Sequence, residues 1–172
     1  MLLNSKLFIL SPSEIKTFGI QNLTYGSLSN KGLKKVVNTI NKYSSNIYGI
    51  DLGCGDGELI YHLQKEINNS LWEGVEICQS RIDSQIRDVC IWQGDMLDEN
   101  FRNYNIIHAD NLCLEDNIAE QLEQKILLEF KGIYITYRKP TYYKFVKYAI
   151  LLESVIVETT WNNHMIYFYK LI

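Results

Sequence analysis

A chain of 172 residues with a formal net charge of −3 and 22% charged side chains has the size of one domain around one core. Its acidic balance excludes a protein that grips nucleic acid over its whole surface. Cys54, Cys78, Cys90 and Cys113 show no Cys-x-x-Cys spacing and do not cluster with His62, His108 or His164, so free thiols in a reducing compartment and no metal site are expected. Met1 to Leu10 lacks the h-region and cleavage site of a signal peptide, and no apolar run is long enough to span a membrane. A soluble, intracellular protein without a membrane partner is the expectation.

In chain order, Ser11-Pro12-Ser13-Glu14 offers a capping residue and a proline suited to a first turn, which predicts a short helix over Pro12 to Phe18. Leu23 to Leu28 reads as a loop punctuated by Gly26. Ser29 or Asn30 then caps a helix with Leu33, Val36, Val37 and Ile40 on one face. Lys31, Lys34, Lys35 and Lys42 lie mostly off that face and read as a solvated surface. Residues 1–45 are expected to form a lid of helix and loop packed on the same single domain as a core over 46–172.

The core opens with a β-prone run from Ile47 that ends in Asp51 and breaks into Gly53, Gly55 and Gly57, after which Leu59, Ile60, Leu63 and Ile67 take helical spacing. Glycines let backbone approach a ligand closely, and the start of the next helix offers free N–H groups. Trp72 to Ile77 is a second strand carrying Glu76, where doubly wound folds place the carboxylate that holds ribose hydroxyls. A short amphipathic helix around Gln79 to Ile86 follows, then a third strand over Val89 to Trp92, closed by Asp95, and a fourth over Tyr104 to Ala109.

The fourth strand runs into Asp110-Asn111, two polar residues able to pair with an amine at the rim that carries the other acids. Either could instead cap the helix expected from Asp116 to Phe130. Gly132 to Tyr137 is the fifth strand. Lys131, Arg138, Lys139, Lys144 and Lys147 then interleave with tyrosines, a pattern that fits phosphate and base contact or an exposed edge guarded by lysines. Leu151 to Thr159 and His164 to Tyr169 read as an antiparallel pair completing a doubly wound, Rossmann-like α/β sheet of seven strands.

The strict alternation of Gly53, Gly55 and Gly57 differs from the dinucleotide fingerprint, which needs a two-residue gap. Asp51-Leu52-Gly53-Cys54-Gly55-Asp56-Gly57 instead resembles motif I of the class I methyltransferases. That resemblance implies S-adenosylmethionine as cofactor, held by Asp51, Gly53, Cys54, Gly55 and Glu76, with Asp95 beside the adenine and Met96 packed on its ring.

The chain as a whole, from Asn22 onward, resembles the DOT-one family (disruptor of telomeric silencing), non-SET methyltransferases of a histone H3 lysine in nucleosomes. Tyr25-Gly26-Ser27 is similar to that family's Tyr-Gly-Glu, Gly94-Asp95-Met96-Leu97 to its Gly-Asp-Phe-Leu, and Asp110-Asn111-Leu112-Cys113-Leu114 to its Asn-Asn-Phe-x-Phe. The resemblance implies a protein-lysine N-methyltransferase in which Tyr25 closes over the cofactor, Asp110 also contacts it, Asp110 and Asn111 form the catalytic pair, and Tyr167 and Trp161 wall the lysine channel. It further implies histone H3 as partner and a nuclear or host-chromatin location; a monomer is expected. Ser27, Asp110, Leu112 and Leu114 depart from the family pattern, and the basic nucleosome-binding tail of larger members is missing.

Two alternatives stand beside this reading. One is a nucleic-acid base amino-methyltransferase, in which Arg138, Lys139, Lys144 and Lys147 touch the nucleic acid, although Leu112 and Cys113 do not fit those enzymes' Asp-Pro-Pro-aromatic motif. The other is a cofactor-binding interaction subunit without catalysis.

Overall fold

Strand and helix segments alternate along the chain, and the central strands are buried on both faces, so helices cover both faces of one sheet. The computed structural model describes residues 9–24 and 26–172. Its elements are α1 (Pro12–Phe18), α2 (Asn30–Tyr43), β1 (Ile47–Leu52), α3 (Glu58–Glu66), β2 (Ser70–Glu76), α4 (Gln79–Ile82), β3 (Cys90–Gln93), β4 (Ile106–Ala109), α5 (Asp116–Glu129), β5 (Gly132–Thr136), α6 (Phe145–Tyr148), β6 (Ala149–Glu158) and β7 (Asn163–Leu171). The seven strands lie in the order β3-β2-β1-β4-β5-β7-β6. Pairing is parallel from β3 to β5 and antiparallel at β7 and β6. This is the doubly wound sheet with a terminal hairpin that the sequence predicts.

Residues two apart share a face. On one face, Ile47, Ile106, Ile133 and Ile135 meet Leu33, Val36 and Ile40 of α2 and Ile60 and Leu63 of α3. On the other, Ile50, Leu52, Ile107 and Tyr134 meet Leu122 and Ile126 of α5. Strand order reverses between β1 and β4, and at such a switch point the carboxyl ends of the strands leave a crevice.

Gly49 shows how closely the first face is filled. It pairs in register with Trp72, and a Cβ at this position would lie 2.4 Å from the Trp72 ring. That indole is fully buried. Gly49→Ala is therefore expected to destabilise the fold by about 3 kcal/mol through overpacking, read as a lower urea midpoint at unchanged slope.

Two stretches differ from expectation. The helix expected to run to Ile86 stops at Ile82, because Ser84 Oγ bonds back to Arg81 O at 2.6 Å and Gln85 Nε2 reaches the carbonyls of Arg87 and Val89. Arg87 then turns to Glu58 of α3, at 3.1 Å. The basic, tyrosine-rich stretch after β5 forms a loop and the short α6, and is not a hairpin edge. Glu123, buried on α5, draws that loop over the helix by accepting from Thr141 N at 2.9 Å and Tyr142 N at 2.6 Å.

Candidate active site

The turn after β1 follows from its glycines. Gly53, Gly55 and Gly57 have φ of 75°, 61° and 77°, which side chains with a Cβ rarely adopt. The turn folds back on β2: Gly53 N and Cys54 N donate to Val75 O at 2.9 and 3.1 Å, and Gly55 N donates to Glu76 Oε2 at 2.9 Å. Glu76 Oε1 accepts from Cys78 N at 2.9 Å, and the Arg81 guanidinium stands 3.5 Å away. A buried carboxylate is thereby fixed beside a bare stretch of backbone.

A cavity of about 490 Å³ opens there, within the range of small-molecule sites. Leu52, Gly53, Val75, Glu76, Asp95 and Met96 form one side; Ala109, Asp110, Asn111, Leu114 and Ile118 form the other. Asp95 is held by its own turn, its Oδ1 accepting from Leu97 N at 2.9 Å. The wall suits a nucleoside sulfonium: a fixed carboxylate for ribose hydroxyls, apolar side chains for a ring, and a Gly53 whose added Cβ would meet nothing within 4 Å and so leaves space for a ligand. Of the residues predicted to hold the cofactor, Gly53, Glu76, Asp95, Met96 and Asp110 line the cavity. Asp51, Cys54 and Gly55 stand behind it, and Tyr25 lies outside the described residues. The thiols are not nucleophiles here: burial pushes Cys54 well above its ordinary value and Cys78 up to about 12.

The roof comes from the N-terminal segment. Thr17, Phe18, Asn22 and Leu23 line the cavity from above. Glu14 accepts from Ser80 N at 3.0 Å and from the Ser80 hydroxyl, Arg81 donates to Leu23 O, and Asn22 Oδ1 accepts from Glu115 N at 2.8 Å. Arg81 thus touches both the roof and Glu76.

Burial alone would raise the Glu14 carboxyl, but its hydrogen bonds from Ser80 and Ser11 hold it down to about 2. The folded value lies below the ordinary 4.5, so this stabilisation is complete above that pH and is lost as pH falls toward 2. Glu14→Gln is expected to speed release of bound S-adenosylhomocysteine about tenfold at neutral pH, since charge-assisted hydrogen bonds weaken by about 1.5 kcal/mol. Stopped-flow displacement measures it.

At the β4 rim the predicted residues separate. Asp110 lines the cavity and accepts backbone hydrogen bonds from Leu112 and Gly26. Burial pushes its carboxyl up to about 6; the Asp51 charge adds to the rise, while the His108 charge and those two N–H groups oppose it. Asn111 also lines the cavity wall, but its amide bonds inward, as it donates to the Tyr134 hydroxyl at 3.2 Å and accepts from Thr136 Oγ1 at 2.8 Å and Tyr137 N at 3.1 Å. In this geometry it shapes the strand end. Tyr167 pairs with Thr136 across β5 and β7, but its ring packs on the α5 face and does not line the cavity. Trp161 is 46% exposed, above Gly26. Leu114 lines the cavity, whereas Leu112 packs into the core beneath.

His108, Tyr137, Arg81, Glu14 and Ser80 are site-supporting residues that sequence reasoning missed. A histidine and an arginine in otherwise core-facing positions were the available signals.

Sheet order, the glycine turn and the rim of acids define the class I S-adenosylmethionine-dependent methyltransferase architecture. A family model described as methionine biosynthesis protein MetW matches residues 31–137, more than half of the chain, and the chain belongs to that family. It is a different family from the DOT-one family that the motifs at Tyr25, Gly94 and Asp110 resemble. None of the curated proteins matches the chain.

Among solved structures, magnesium protoporphyrin IX methyltransferase (ChlM) from Synechocystis PCC 6803 with bound SAM is similar at a TM-score of 0.66 and 12% identity, covering 81% of this chain and 78% of that one. The methyltransferase domain of bacterial CtHen1-CN matches at 0.60 and 15%, covering 81% and 97%. An S-adenosylmethionine-dependent methyltransferase from Clostridium acetobutylicum ATCC 824 matches at 0.58 and 14%, covering 82% and 91%. At these identities the likeness is one of fold.

Proposed function

We propose that the protein is an S-adenosylmethionine-dependent methyltransferase whose acceptor is an amine nitrogen, and that this amine is a protein lysine side chain. The observation that carries the reading is the position of the Asp110 carboxyl at the cavity wall, which is largely ionised at neutral pH even though burial raises it to about 6. Glu76 and Asp95 would hold the ribose and adenine ends of the cofactor, and Met96 and Val75 would pack on its apolar surface. The cofactor supplies a methyl group activated on a sulfonium sulfur.

The work of the chain is positioning and exclusion of water. Asp110 draws the cationic side chain to the rim; once that ammonium has given one proton to solvent, Asp110 accepts an N–H of the neutral attacking amine and stabilises the positive charge that develops on nitrogen. The proton lost by the nitrogen passes to Asp110 or to solvent. The roof over Phe18 and Leu23 limits hydration. Because only the ionised carboxylate can do this, turnover is expected to rise with pH through about 6, a profile measurable at saturating cofactor.

Histone H3 in nucleosomes is the substrate that the motif resemblance implies. A nucleic-acid base amine is the second reading, favoured by Lys144 and Lys147 lying against Tyr143 and Tyr148 at 5.6 and 5.5 Å. Arg138 contributes less to it, being bonded to Leu114 O at 2.9 Å and to Asp116. Radiolabelled methyl transfer onto nucleosomes, free histones, total nucleic acid and cell-lysate protein separates these. Label in protein lysines is expected. Label confined to nucleic acid, or none in any arm while the cofactor binds, overturns the lysine reading.

A further inference from the structure

A row of polar side chains runs beneath the site. Strand register sets Asp51 of β1 beside His108 of β4. His108 Nδ1 lies 2.6 Å from Asp51 Oδ1, and Nε2 lies 3.2 Å from the Tyr137 hydroxyl. The His108 and Tyr137 rings meet edge-on at 5.4 Å. Asp51, His108 and Tyr137 are 3%, 2% and 5% exposed, in a layer otherwise filled by Ile47, Ile106, Ile133 and Ile135. A carboxylate can only accept, so Nδ1 carries its proton toward Asp51. Three buried polar groups in an apolar layer cost free energy unless each is paired. Here the row runs from Asp51, under the glycine turn, through His108 to Tyr137, and the cavity-lining Asp110 follows His108 by two residues on the same face of the strand.

We propose that His108 is a positioning residue: its imidazole, held between Asp51 and the Tyr137 hydroxyl, separates the carboxylates at the ends of β1 and β4 in space and in charge, and so sets the pH at which the Asp110 side of the cavity becomes anionic. The inference rests on the amine-methylating reading only for the use made of that charge. The groups near His108 are Asp51 from β1, Tyr137 beyond β5 and Asp110 just past the end of its own strand; the Cys54 thiol of the turn, near Asp51, is kept protonated by burial and then by the Asp51 charge. Helices α2 and α3 bring apolar side chains to this layer. The Asp110 carboxyl is consistent with this placement: burial and Asp51 raise it, and the charge of His108 acts in the opposite direction.

The test follows the side-chain carboxyl signal of Asp110 by NMR against pH in ¹³C-aspartate-labelled protein, assigned by its loss in Asp110→Asn. The wild type is expected to titrate near 6. His108→Gln keeps a donor for Asp51 without the charge, and its midpoint is expected about one unit higher, a tenfold change in the ionisation constant. Tyr137→Phe, which removes one hydroxyl, is expected to raise the midpoint by less. A merely structural role would move the unfolding midpoint and leave the Asp110 titration in place.

An unchanged midpoint in both variants overturns the proposal. Should His108→Gln not fold, Tyr137→Phe decides it alone, an upward shift supporting the proposal and an unchanged value overturning it. Failure of the wild type to bind S-adenosylhomocysteine would instead sink the methyl-transfer reading, and the Asp110 titration would still be read on its own.

Discussion

Glu76→Ala is expected to weaken S-adenosylhomocysteine binding by about 100-fold or more, since each hydrogen bond to a charged acceptor contributes about 1.5 to 3 kcal/mol. The same substitution should lower stability by about 3 kcal/mol, the usual effect of removing one partner from a buried ion pair. Both effects have one origin. Glu76 is 1% exposed, and its two oxygens tie Gly55 N and Cys78 N together with Arg81 nearby. Alanine there would leave two backbone donors and a guanidinium in an apolar setting, and would release the glycine turn from β2. Glu76→Gln, which keeps an acceptor of the same shape, should retain more of the stability than of the affinity. Calorimetry and urea unfolding of the two variants measure the separation. An alanine variant that binds the nucleoside as the wild type does would remove Glu76 from the site.

Asp110→Asn is expected to reduce the methyl-transfer rate by about 100-fold, the scale seen when a preorganised electrostatic contact to a developing charge is lost, with little change in cofactor affinity. The same variant should be more stable above pH 6. The Asp110 carboxyl is raised from 3.8 to about 6 in the folded state, so its contribution to stability is fully present below the unfolded value and is lost as pH rises through the folded one. Removing that ionisation should stabilise the protein by up to about 3 kcal/mol near pH 8, and the rise of turnover through pH 6 should flatten. A variant that is both slower and more stable would mark Asp110 as a residue kept for chemistry at a cost to folding. One that is slower and less stable would make it structural.

The sequence carries the local parts of this account and not the distant ones. Asp51, the alternating glycines, Glu76 and Asp95 are legible because a strand, its terminal acid and its turn are neighbours in the chain. Asp110 and Asn111 look like a pair for the same reason, yet successive side chains of an extended chain point to opposite faces. One therefore turns to the cavity rim while the other is bonded to Tyr134 and Thr136. Tyr167 shares the α5 face with Tyr169, while Phe168 takes the opposite one, a choice that depends on the register of β7. The contact of Asp51 with His108 depends on which strands are neighbours, 57 residues apart. The roof depends on Glu14 meeting Ser80 across 66 residues. The basic stretch after β5 misleads because Glu123 and Asp116 on α5 draw its backbone and Arg138 onto the helix.

The central claim is that the cavity between the glycine turn and the β4 rim takes a sulfonium nucleoside. Calorimetric titration of the wild-type protein with S-adenosylmethionine tests it most directly. Saturable binding at one nucleoside per chain is the predicted result. A titration with no heat of binding, in a protein whose cooperative unfolding shows that it is folded, would contradict it.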